Sequence, residues 1–134
     1  RANWTCPGGG LCGIGYTDNN ISGQVFSGEW SIGAQNWLKI MMADSGYDPS
    51  DISSLQNDYE AIWFGLESYL YDSTPINNST ESYNSLYYAE RRYYIPFGWY
   101  ANPLPATSST AWAAVLAAGY NPFNVDGGKY TKSY

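Results

Sequence analysis

The sequence predicts a mainly α fold: an antiparallel helical hairpin followed by a third helix, joined by long ordered aromatic loops. Three observations carry this. Apolar residues recur at helical spacing in three stretches, each with start and stop signals. The connection between the first two stretches is short, which favours an antiparallel pair. The remaining segments are rich in glycine, proline and polar turn formers.

The expected first helix runs from about Gly28 to Asp44. Trp30, Ala34, Trp37, Leu38 and Met41 mark its apolar face, Ser27 caps its start and Gly46 closes its end. A second helix starts at Asp48-Pro49, with Asp48 as cap and Pro49 in the first turn. Its stripe is Ile52, Leu55, Tyr59, Ile62, Trp63, Leu66 and Leu70, and it stops before Pro75. A third helix spans about Ser109 to Ala118, with Trp112, Val115 and Leu116 inward and Gly119 as the stop. Residues 1–27 read as loop. The tyrosine-rich segment between the second and third helices reads as extended and ordered, with a short strand around Tyr93–Ile95. Such a long irregular segment is uncommon and often functional. The chain is thus one domain or a fragment of a larger one: a Gly-rich region at 1–27, a helical hairpin at 28–72, an aromatic segment at 73–108, and a third helix with its tail at 109–134. It starts with Arg1, as a processed product or fragment does.

Composition narrows the function classes. Of the 134 residues, 44% are hydrophobic and only 13% charged, so solubility rests on Ser, Thr, Asn and Gly. The 14 tyrosines and 6 tryptophans imply a surface of rings with polar tips, which suits sugars or other protein copies. The formal net charge of −6, with scattered basic residues, argues against nucleic acid. The absence of histidine excludes a Ser-His-Asp triad, a Cys-His pair and a His-ligated metal site. No membrane span is visible.

Cys6 and Cys12 flank Pro7 and three glycines, so they are expected to bond to each other. Asn3, Asn20, Asn77 and Asn78 head glycosylation sequons, with Asn77 or Asn78 the preferred acceptor and Asn3 another candidate. Together these features suggest a secreted protein.

Residues 18–29, DNNISGQVFSGE, carry the spacing of a calcium loop. Asp18, Asn20, Ser22, the Gln24 carbonyl and Glu29 would supply oxygens to Ca2+, and Gly23 the sharp turn. Only two of these ligands are formally charged, so binding would be weak. The helix expected before an EF-hand loop is missing, and the loop looks more like a dockerin-type single site. The alternative is a polar turn in which Glu29 favours the helix dipole. Glycosylation of Asn20 would compete with its role as a ligand.

SGEWSIGAQNWLKI (27–40), YAERRYYIPFGWYANPLPATSSTAW (88–112) and GYNPF (119–123) resemble the C-terminal part of secreted α/α-toroid proteins, the six-hairpin, glycosidase-like class. The resemblance implies helical hairpins, a carbohydrate-related function, and a cleft holding Glu29, Glu90, Arg91, Trp99 and Tyr100. A closed toroid needs many more helices than this chain can supply, so the architecture would be partial.

Glycoside hydrolysis needs paired carboxylates. Glu29 is the candidate acid, with Asp18 or Glu90 as partner, but Glu29 serves equally as a helix-start or calcium residue. Glu90, Arg91 and Arg92 would clamp an acidic sugar or form an ion pair fixing the aromatic segment. Trp99 and Tyr100 would stack on a sugar or sit in an interface. Three readings follow. The first is a secreted, structural glycoprotein subunit that associates with copies of itself, or with the missing part of a longer chain, and forms rings or filaments. The second is the carbohydrate-active end of a larger α/α-toroid hydrolase or lyase. The third is a small calcium-stabilised binding module.

Overall fold

The computed structural model describes residues 3–16, 25–44, 46–75, 82–95 and 97–123. In chain order these form β1 (Asn3–Thr5), β2 (Leu11–Ile14), α1 (Gly28–Ala43) and α2 (Pro49–Gly65), which runs into a π-helical turn (Leu66–Leu70). Then come β3 (Tyr71–Pro75), β4 (Ser82–Leu86), β5 (Tyr93–Ile95), β6 (Trp99–Ala101) and α3 (Thr107–Ala117). The six strands form three separate antiparallel pairs, β1–β2, β3–β4 and β5–β6. The fold is therefore mixed α/β, and the expectation of a mainly α, partial-toroid architecture is corrected.

The helices lie where periodicity places them, and the strand at Tyr93–Ile95 is present. The other strands were hidden because each has only three to five residues. Too few alternating positions remain to give a signal above the turn formers around them. The region 1–27 is a case in point. Its glycines mark the turn of a hairpin, with Gly9 and Gly10 at φ 90° and 84°. The Cys6–Cys12 disulfide closes that hairpin. Closing so short a loop adds about 2 kcal/mol of stability.

Ser27 caps α1, its Oγ accepting from the Trp30 amide at 3.2 Å. The helix ends without the expected glycine cap. Asp44 stops it, its Oδ1 accepting from the Gly46 amide at 2.9 Å. Pro49 opens α2 in the first turn. The π-helical turn lets both Leu66 and Leu70 reach full burial before the chain turns into β3. Gly119 follows α3 at φ 72°, the left-handed stop that glycine favours.

The main core gathers Trp4, Phe26, Ile32, Ile62, Leu66, Leu70 and Leu116 from every layer. A smaller one holds Val25, Ala89, Ile95 and Ala101. Helix α1 packs against α2, α3 and β2, and is the centre of the fold.

The buried face of α1 is rotated from the one expected, with Ala34 and Leu38 half-buried against the main core at its edge. Ser31, Ile32, Gln35 and Asn36 are buried, while Trp30 and Trp37 are 55% and 54% exposed. The reason lies in what the helix meets. The Ser31 hydroxyl accepts from the Ile14 amide at 2.8 Å and donates to the Ile14 carbonyl at 3.2 Å. The Gln35 Nε2 donates to the Tyr59 carbonyl at 3.2 Å. A backbone amide at the end of a strand needs an acceptor, which the Ser31 hydroxyl supplies, while buried Asn36 donates to the Ile32 carbonyl of its own helix at 3.0 Å. In α2 the stripe is oriented as expected except at Trp63, which is 39% exposed.

Candidate functional site

Two surfaces stand out. The first is the β5–β6 hairpin. Strand pairing sets Tyr94 opposite Tyr100 and Ile95 opposite Trp99. Ile95 and Ala101 are buried in the smaller core and anchor the hairpin. Tyr94 and Tyr100 meet edge to face with centroids 5.2 Å apart. The Arg92 guanidinium lies 4.2 Å from the centroid of the Tyr100 ring. At the tip, Gly98 takes φ 104°, and Phe97 stacks on Trp99 at 6.1 Å. Phe97 is 82% exposed. These large rings remain open to water while their backbone is pinned into a core.

The second surface is a groove between α3, the end of α2 and the β3–β4 pair. It consists of two adjoining depressions of about 570 and 520 Å³ that share Asn84, Ser85, Thr110 and Ala114. Ala111, Ala114 and Ala117 form its floor, and Trp63 and Tyr71 stand in its wall. Glu67 and Asp72 bring carboxylates to it. The Tyr71 hydroxyl donates to Asn84 Oδ1 at 2.8 Å, which fixes that part of the wall.

The expected site residues fall as follows. Trp99, Tyr100 and Arg91 belong to the aromatic hairpin and its entry, and Cys6 and Cys12 are bonded to each other. Glu90 forms an ion pair with its chain neighbour Arg91 at 3.0 Å. Glu29 is half-buried in the first turn of α1. The Glu90 amide donates to the Phe26 carbonyl at 3.1 Å and the Gly28 amide donates to the Tyr88 carbonyl at 3.1 Å. These bonds bring the chain at Glu90 and the start of α1 to one junction. Asp18, Asn20, Ser22 and Gln24 lie outside the described residues, as do Asn77 and Asn78. Among the described residues no group of three or more His, Cys, Asp or Glu side chains is placed to hold a metal ion. Asn3 is half-buried in β1 and lines a small cavity beside Leu38 and Ile62.

Beside that junction, the Tyr16 hydroxyl donates to the Tyr88 carbonyl at 3.1 Å. Burial pushes the Tyr16 phenol well above its ordinary range, since the phenolate would lose its hydration. It stays neutral through the physiological range.

The groove escaped the sequence reading. Trp63 follows Ile62, and its position about 100° around the helix from Ile62 turns it out of the inward stripe and into the groove wall. The alanines of α3 were the available signal, because small residues on an exposed helix face leave room for a neighbour. No helix among the described residues is long and apolar enough to cross a membrane. Comparison with known protein families, with curated proteins and with solved structures finds no match to this chain.

Proposed function

We propose that the chain is a non-enzymatic, self-associating subunit of an extracellular structural assembly, in which copies meet through the aromatic hairpin. The observation that carries this reading is the exposure of Tyr94, Phe97, Trp99 and Tyr100 on a hairpin anchored by buried Ile95 and Ala101. Aromatic residues and arginine are the types enriched where proteins bind one another, and Arg92 lies among these rings. The Cys6–Cys12 disulfide suits an oxidising compartment. The carboxylates considered for catalysis find other work in this reading: Glu90 pairs with Arg91, and Glu29 sits at a helix start.

Light scattering across a concentration series tests it. The wild-type chain should grow into multimers, and Trp99→Ala combined with Tyr100→Ala should suppress them while circular dichroism stays unchanged. A chain that remains monomeric at every concentration and binds or cleaves a polysaccharide unaided would replace this reading with the carbohydrate one.

A further inference from the structure

We propose that the groove along α3 is the seat for the β5–β6 hairpin of the next copy, so that association is head to tail. This rests on the self-association reading and adds the second surface.

Charge selects the occupant. Every charged residue from Asp44 to Asp72 is acidic, and that stretch supplies Glu67 and Asp72 to the groove. The hairpin is entered through Arg91-Arg92, the only adjacent pair of basic residues in the chain. Glu90 offsets Arg91, which leaves Arg92 as the net positive charge beside the exposed Tyr100 ring. A ring-rich hairpin carrying a cation and an apolar groove carrying carboxylates are complementary in sign and in polarity.

Size agrees with charge. Strands of three residues make a hairpin arm of about 10 Å. The 11 residues of α3 offer a floor of about 16 Å. Ala111, Ala114 and Ala117 recur every third residue and are all exposed, so rings can lie against the helix without displacing a large side chain. Trp63 and Tyr71 then offer ring contacts from the wall. Among the described residues, none that lines the groove belongs to the hairpin. The contact is therefore heterologous, and each copy keeps one free surface of each kind, which gives a filament or a closed ring.

The experiment uses two variants of the full chain and their mixture. Trp99→Ala/Tyr100→Ala disables the hairpin, and Ala114→Trp fills the groove at an exposed position. Each alone should weaken association about ten-fold or more. Mixed in equal amounts they should form 1:1 dimers and nothing larger, because each supplies the surface the other lacks. Glu67→Lys provides a second groove variant should Ala114→Trp disturb α3, as judged by circular dichroism. If the wild type assembles and both groove variants assemble equally well, the groove assignment is overturned while the self-association reading stands. If the mixture gives no dimers, the head-to-tail pairing is overturned. A wild type that never associates would remove the self-association reading itself.

Discussion

The carbonyl of Cys12 occupies the space that a Cβ on Gly65 would need. The glycine in the last turn of α2 thus lets the disulfide-closed β1–β2 hairpin lie directly on the helix backbone.

Gly65→Ala sets two effects against each other. Alanine favours a helix over glycine by about 1 kcal/mol. The added methyl must displace the backbone carbonyl of a residue fixed by a disulfide and flanked by paired strand residues, and overpacking of this kind costs about 1–3 kcal/mol. Because the obstacle is backbone and not a flexible side chain, the clash should win. Urea denaturation should show a net loss of about 1–2 kcal/mol. An unchanged or raised midpoint would show that β2 moves aside without cost.

Ser109 is buried and its hydroxyl has no hydrogen-bond partner among the described residues. It faces Gly28, where the start of α1 presses on α3. An unpaired buried hydroxyl costs about 1–3 kcal/mol. Ser109→Ala should therefore stabilise the fold by about 1 kcal/mol, after allowance for the small void it leaves. Chemical denaturation at neutral pH checks this, and a loss of stability would mean the hydroxyl has a partner in solution.

Alkaline pH should weaken the fold through Tyr16. Its phenol is raised by burial, chiefly through desolvation. A phenol ordinarily titrates near pH 10. Its pKa is higher in the folded state, so its contribution is fully present below about pH 10 and is lost as pH rises toward the raised value. Denaturation midpoints followed upward from pH 8 should fall above about pH 10. Tyr16→Phe cannot ionise there and should decline less. Tyr59, raised by burial as well, keeps part of the decline in that variant. Parallel curves for wild type and variant would remove Tyr16 from the effect.

The helices were legible because their apolar spacing and boundary residues act locally. Ser27, Pro49 and Gly119 do at their helix ends what the chain around them requires. The disulfide was legible because two cysteines astride three glycines have no other partner. The strands were not, since a three-residue strand is stabilised by the neighbour it finds and not by its own propensity. Candidate contact residues followed the same division. Trp99 and Tyr100 could be picked out as rings in a turn-rich segment. Trp63, Glu67, Tyr71 and Asp72 come to line one groove only when α3 closes it beside them.

By itself the sequence determined the approximate spans of the three helices, which cysteines pair, and that the chain carries more aromatic surface than one small core can cover. Tertiary structure alone decided which side of α1 is inside. Trp30 and Trp37 outweigh Ser31, Gln35 and Asn36 in hydrophobicity. Yet the polar residues are buried: Ser31 and Gln35 bond backbone groups of β2 and α2, and Asn36 donates to the Ile32 carbonyl within α1 itself. Periodicity records which residues share a face. Which face turns inward depends on what the neighbouring elements need satisfied, and that is known only once they are in place.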